Sequence, residues 1–159
     1  MRQTVVTKAL KKHGLATDNI KNLPSSIANP IFVFKSNNES VSVLTELKGN
    51  DGNNLFVAIE LGIERQMGHR FLEVNDILTI HGREAKNIIE PIVENNRLRY
   101  ADKEKAYRWL SSVQTNEQAI TNDMLDSATK VINDFENPSA EEENDTRFST
   151  AYHGTFQFQ

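Results

Sequence analysis

The chain contains no cysteine. That absence excludes disulfide staples, thiolate metal sites and a thiol nucleophile, and it suits a reducing compartment. Long apolar runs are missing as well. None approaches the roughly 18 residues of a membrane span, and Met1-Arg2-Gln3-Thr4 leads into a helical pattern instead of a signal-peptide core. The expectation is a soluble intracellular protein. Glycine is sparse: Gly62 and Gly68 stand alone and Gly49 with Gly52 belongs to a hairpin, so no phosphate loop is present. The four histidines include no pair at metal-ligand spacing. No metal and no other cofactor is expected. Internal repeats are also missing, and 159 residues leave room for one domain of ordinary size plus flanking segments.

Charge is unevenly spread. The net charge is -4, yet Asp134, Glu136, Glu141, Glu142, Glu143 and Asp145 fall between Ile132 and Thr146 with no Lys or Arg among them. The preceding body is therefore close to neutral. A near-neutral body argues against strong nonspecific DNA binding, which needs a concentrated basic face. Two local basic clusters remain. One is Arg2, Lys8, Lys11 and Lys12; the other is Arg97, Arg99, Lys103, Lys105 and Arg108, interrupted by Asp102 and Glu104. Both read first as solvated helix faces. Tyr100, Tyr107 and Trp109 lie in or beside the second cluster, which makes Arg97, Arg99, Tyr100, Lys103, Lys105 and Arg108 the candidate surface for a partner or for RNA. Trp109 falls on an apolar stripe and is expected in the core.

Val5, Val6, Ala9 and Leu10 share a helical face that stops at Gly14, and a short helical turn over Asn19 to Asn22 is closed by Leu23-Pro24. From Pro30 the period becomes two. Ile31, Val33 and Lys35 alternate with Phe32 and Phe34, and both sets are largely apolar, so this strand is expected to be covered on both faces. Val41, Val43, Thr45 and Leu47 form the inward set of a second strand, and Leu55, Val57, Ile59 and Leu61 that of a third. Between them Asp51-Gly52 marks a hairpin. A fourth strand spans roughly Phe71 to His81 and bends at Asn75-Asp76. The second half reads as helical. Ala85, Ile88, Ile89, Ile92 and Val93 recur at helical spacing, with Pro91 expected to kink or split the helix. Asp102 is the expected N-cap of the next helix, and Thr115 to Gln118 match a capping box for a last one carrying Ile120, Met124, Ala128, Val131 and Phe135. The fold class is α+β: an N-terminal helix, an antiparallel sheet of about four strands and C-terminal helices packed on one face, in two layers.

One constellation carries chemistry. Lys35-Ser36 ends the first strand, while Thr79, His81 and Arg83 lie at the end of the fourth. If those ends meet, His81 acts as general acid or base on a ribose hydroxyl, Lys35 or Arg83 stabilises the developing charge, and Thr79 or Ser36 orients the phosphate. The plainer reading is a half-exposed histidine before a turn glycine with ordinary strand-end charges, and it is the one favoured.

Leu23-Pro24, the strand Asn29-Pro30-Ile31-Phe32-Val33-Phe34-Lys35-Ser36, His81-Gly82-Arg83, Lys86-Asn87-Ile88, and Leu98 to Tyr100 followed by Lys103 to Leu110 occur in an order that resembles the MuF C-terminal domain. That family is found at the end of phage MuF proteins and within long polyvalent proteins of phages and conjugative elements. The resemblance covers about residues 3 to 113. Beyond it, Arg147-Phe148 and Tyr152-His153-Gly154-Thr155 resemble the first strand of an ADP-ribosyltransferase domain, whose later catalytic parts are missing, so His153 implies no transferase activity by itself. The expected division is a MuF-like domain over 1–114, a C-terminal helix over 115–136, an acidic linker over 137–146 and a remnant strand or tail over 147–159.

The resemblance implies a phage or mobile-element protein acting in the cytoplasm of a bacterial host. The favoured expectation is a non-enzymatic counter-defence protein that binds and inhibits a host defence nuclease or its guide RNA, in the manner of an anti-CRISPR inhibitor. The alternative is a metal-free ribonuclease effector of barnase-like or RelE-like architecture. No membrane partner is expected.

Overall fold

The computed structural model describes residues 17–36, 40–67, 70–94, 97–116, 120–137 and 156–158. The helix expected over Val5 to Gly14, the basic cluster from Arg2 to Lys12 and the acidic run from Glu141 to Asp145 lie outside these residues.

Helix α1 (Thr17–Ala28) precedes strands β1 (Phe32–Lys35), β2 (Ser40–Lys48), β3 (Asn54–Met67) and β4 (Arg70–Gly82). Helix α2 (Ala85–Val93), strand β5 (Leu98–Ala101), helices α3 (Lys103–Asn116) and α4 (Asn122–Asp134) and strand β6 (Phe156–Phe158) follow. One sheet runs β5-β1-β2-β3-β4-β6. Every pairing is antiparallel except β4 with β6, which is parallel at Asn75↔Phe156 through Ile77↔Phe158.

The α+β class is as expected, but the sheet has six strands instead of about four. β5 hides in the basic segment because a register shift at Val33/Phe34 breaks its period of two, leaving only Leu98 and Ala101 as buried anchors. β6 comes from the tail that reads as a remnant strand, and it joins the sheet of its own chain.

Layering follows from alternation. Phe32, Phe34, Leu44 and Phe56 face one side, where they form a core with Ala85, Ile88, Ile89 and Ile92 of α2, Trp109 and Val113 of α3, and Ala128 and Ile132 of α4. Val33, Val43, Leu55, Val57, Ile59 and Ile77 face the other, and Leu23 and Ile27 of α1 close over them. There are thus three layers where two were expected, because the alternate set of β1, β2 and β3 is as apolar as the first and also needs a helix. Phe32 anchors the larger core, its ring meeting Trp109 edge to face at 5.6 Å and 87°. Burial of each such ring is worth about 2–3 kcal/mol, with about 1 kcal/mol from the pairing.

Local features depart from expectation for identifiable reasons. α1 runs straight through Leu23-Pro24, because burying Leu23 and Ile27 on one helical face outweighs the backbone donor that Pro24 lacks. Pro91 does not split α2, which runs through it and ends two residues later at Val93. The cap of α4 is Thr121, whose hydroxyl accepts the Met124 N–H at 3.2 Å, and Thr115 and Asn116 instead end α3. Asp102 does cap α3 as expected, its carboxylate accepting the Lys105 N–H at 3.1 Å.

In the β2–β3 hairpin Gly52 takes φ +81°, which an L side chain rarely adopts. The Asp51 carboxylate accepts the Asn53 N–H at 3.0 Å and fixes the turn. Gly62 takes φ +66° beside register shifts in the β3–β4 ladder, and its N–H donates to the Asn75 side-chain oxygen at 3.1 Å. The bend expected at Asn75-Asp76 is this bulge.

Because Ile132 is fully buried in the larger core, Ile132→Ala should lower stability by about 2–4 kcal/mol. The exposed neighbour Lys130→Ala should change it by less than about 0.5 kcal/mol. Urea unfolding of both variants checks this; equal midpoints would mean that α4 is not part of the core.

Candidate functional site

The ladder decides where the chemistry-bearing residues stand. Lys35 is in register with Val41 of β2, Ile59 of β3 and Ile77 of β4. His81 pairs with Phe56, which continues to Leu44 and Phe32 at the opposite end of β1. With β2 and β3 between them, β1 and β4 are about 14 Å apart, and the rows add about 10 Å along the strands. The faces differ too. Lys35 follows the parity of Val33 on the α1 side, whereas Thr79 and His81 follow Ala58 and Phe56 on the side of α2 to α4. Ser36 is engaged locally, its hydroxyl 2.7 Å from that of Ser42. The strand ends do not meet, and Lys35 is remote from His81.

What the fold does assemble is an aromatic and cationic corner. The His81 ring lies 6.2 Å from Phe56, and the Arg83 guanidinium stacks over the same ring at 4.5 Å. Arg83 Nε is buried without a hydrogen-bond partner among the described residues. Its backbone N–H donates to the Asn54 carbonyl at 3.1 Å, which fixes the exit of β4 against the start of β3.

The basic segment divides instead of forming one patch. Lys103 Nζ donates to the Asn133 carbonyl at 3.0 Å, and Lys105 Nζ to the Asn29 carbonyl at 2.8 Å. Each ammonium thus satisfies a carbonyl at a helix C-terminal end, where a cation is favoured by the orphan acceptors and the helix dipole. Lys105 also pairs with Glu46 at 2.8 Å. Arg97 is exposed at the start of β5 and its carbonyl accepts the Lys35 N–H at 2.8 Å. Arg99 Nη1 donates to the Leu98 carbonyl at 3.2 Å, and Tyr100 packs against the core on the α1 side. Arg108 is exposed and lines a cavity of about 210 Å³ with Lys48, Glu46 and Lys105. A second cavity, of about 320 Å³, shares Lys48, Asn54, Trp109 and Ser112 with the first and adds Asp51 and Arg83.

Lys48, Asp51 and Asn54 were invisible as site residues in the sequence. They sit at a hairpin whose loop signals describe only its turn, and packing against α3 brings them to the cavities. One signal was available: a Cβ at Gly82 would stand 2.7 Å from Asp51 Oδ1, so the small residue in His81-Gly82-Arg83 marks where the hairpin approaches.

A model described as the phage MuF C-terminal domain matches residues 4–108, well over half of the chain. The chain belongs to that family. No curated protein and no solved structure matches it. As a MuF C-terminal domain the chain is a protein of phage or mobile-element type. Among the described residues, no helix is long and apolar enough to cross a membrane, and no group of three or more metal-ligating side chains is assembled.

The edge of the MuF sheet at β5 is partly sealed by Asn137, three residues beyond the end of α4. The Asn137 carboxamide accepts the Ala101 N–H at 3.0 Å and donates to the Ala101 carbonyl at 2.8 Å, as a paired strand would. Asn137→Ala should cost about 1 kcal/mol and should accelerate amide exchange at Ala101. Unchanged exchange there would show that the carboxamide does not protect the edge.

Proposed function

We propose that this MuF C-terminal domain protein acts non-enzymatically in counter-defence, by docking on a host nucleic-acid-targeting defence nuclease or its guide RNA and inhibiting it, in the manner of an anti-CRISPR inhibitor. The observation that carries this reading is the separation of Lys35 from His81 by two strands and opposite sheet faces. A general acid or base needs hydrogen-bond reach to the reacting group, and its charge-stabilising partner must reach the same phosphate. A ribonuclease that needs Lys35 beside His81 has no shared substrate position, although His81 and Arg83 stand together at Phe56.

The docking surface in this reading is the β5 edge, where Arg97 and Arg99 flank Leu98 beside Tyr100. Arginines on an edge strand combine a positive field, which speeds encounter with an acidic or phosphate-bearing partner, with planar donors for recognition. Lys103 and Lys105 support the helix ends behind this surface instead of forming part of it.

A plasmid-interference assay in bacteria carrying a CRISPR effector tests the proposal. Expression of the chain should protect the targeted plasmid, and Arg97→Glu with Arg99→Glu should reduce that protection at least tenfold. Loss of the plasmid at the normal rate with the native chain counts against the inhibitor reading. Degraded total RNA that becomes intact on Lys35→Ala with His81→Ala would replace it with the ribonuclease reading.

A further inference from the structure

The cleft between the β2–β3 hairpin and α3 gathers cations from three separate parts of the chain. Lys48 ends β2, Arg83 follows β4, and Lys105 and Arg108 stand on α3. The two cavities they line adjoin through Lys48, Asn54, Trp109 and Ser112, so they form one groove.

Its charge is unbalanced. Against the four cations stand two carboxylates, Glu46 and Asp51, a surplus of two positive charges. Both carboxylates are already engaged within the groove. Glu46 pairs with Lys105 at 2.8 Å, and Asp51 accepts the Asn53 N–H at 3.0 Å and the Asn53 side-chain amide at 3.1 Å. Arg83 is held in place by its stacking on Phe56, and its Nε is buried, so contact with an anion falls to the terminal nitrogens of the guanidinium.

We propose that this groove binds the phosphomonoester of a nucleotide. A terminal phosphate carries about -1.5 to -2 charges at neutral pH and three strong acceptor oxygens. That matches the surplus of two, whereas a single carboxylate leaves half of it uncompensated. Arg83 and Arg108 supply planar forks suited to phosphate, and Lys48 a point charge between the two cavities. The larger cavity, of about 320 Å³, falls in the range of small-molecule sites. Trp109 is only 5% exposed and is committed edge-on to Phe32, so no broad stacking platform is offered to the base. Recognition is therefore of the phosphate, with little base selectivity. The groove lies apart from the β5 edge, and the proposal does not depend on the counter-defence reading.

Calorimetric titration of the full chain at low salt with adenosine monophosphate, adenosine, a 5′-phosphorylated hexaribonucleotide, its unphosphorylated form and hexaglutamate tests it. Expected is binding of a phosphorylated ligand at least tenfold tighter than its unphosphorylated counterpart. Lys48→Ser with Arg108→Ser should weaken that binding at least tenfold while the chain stays folded by circular dichroism, and Lys130→Ser, on the exposed side of α4, should leave it unchanged. Binding of adenosine monophosphate identifies a free nucleotide as sufficient; binding of the oligonucleotide alone identifies a strand terminus. Absence of binding by both phosphorylated ligands, equal affinity in the double variant, or tighter binding of hexaglutamate overturns the proposal.

Discussion

The two-sided burial of β1 is the constraint on which the rest of the molecule depends. Phe32 and Phe34 lie 3% exposed or less on one face while Val33 is fully buried on the other, so the strand needs cover on both sides. A helix-free face would leave one of these sets in water at a cost of about 2 kcal/mol per large side chain. β1 is consequently interior to the sheet, paired with β2 on one side and β5 on the other. The helices must then divide between the faces. α1 serves the valine side, and α2, α3 and α4 serve the aromatic side.

That constraint was legible in the sequence, because Phe32-Val33-Phe34 is apolar at both parities. The inward sets Val41 to Leu47 and Leu55 to Leu61 were legible from their alternation with Ser42, Glu46 and Glu60, and the Asp102 cap and the Asp51-Gly52 turn were legible from residue type. What escaped was set by tertiary contact. β5 has four residues and a register break, so no period identifies it before β1 is in place to pair with it. Pro24 signals a helix end locally, and only the burial of Leu23 and Ile27 under the sheet overrides that signal.

The site was less legible than the fold, and the reason is directional. Lys35, Thr79 and His81 were grouped because each ends a strand, but a strand end becomes a position only when the order and sense of the sheet are known. With β1 and β4 separated by β2 and β3, and running in opposite senses, their C-terminal ends lie at opposite ends of the sheet. The lysines of the basic segment illustrate a second difficulty. In sequence Lys103 and Lys105 are two more cations beside Arg97 and Arg99. On α3 they point roughly 160° apart, and each finds a different helix terminus to satisfy. Charge clustering in sequence thus hides that Lys103 and Lys105 serve different helix ends, while the groove joins Lys105 and Arg108 of that cluster to Lys48 and Arg83 from segments that show no clustering.

The boundary of the family match gives these contacts a further meaning. The match ends at residue 108, partway along α3, yet Trp109, Leu110, Val113, Ile120, Ala128 and Ile132 beyond it complete the core over β1 and α2. The same C-terminal region reaches both edges of the sheet. Asn137 occupies the outward N–H and carbonyl of Ala101 on β5, and β6 pairs with Asn75, Asp76 and Ile77 on β4. Unpaired edge groups are templates for addition of another strand, and covering them limits association to the stretches left open. In β5 the side-chain amide covers Ala101 and stops short of Arg97 and Arg99. Among the described residues, the contact of Asn137 with Ala101 leaves the stretch with Arg97 and Arg99 as the part of this edge that it does not cover.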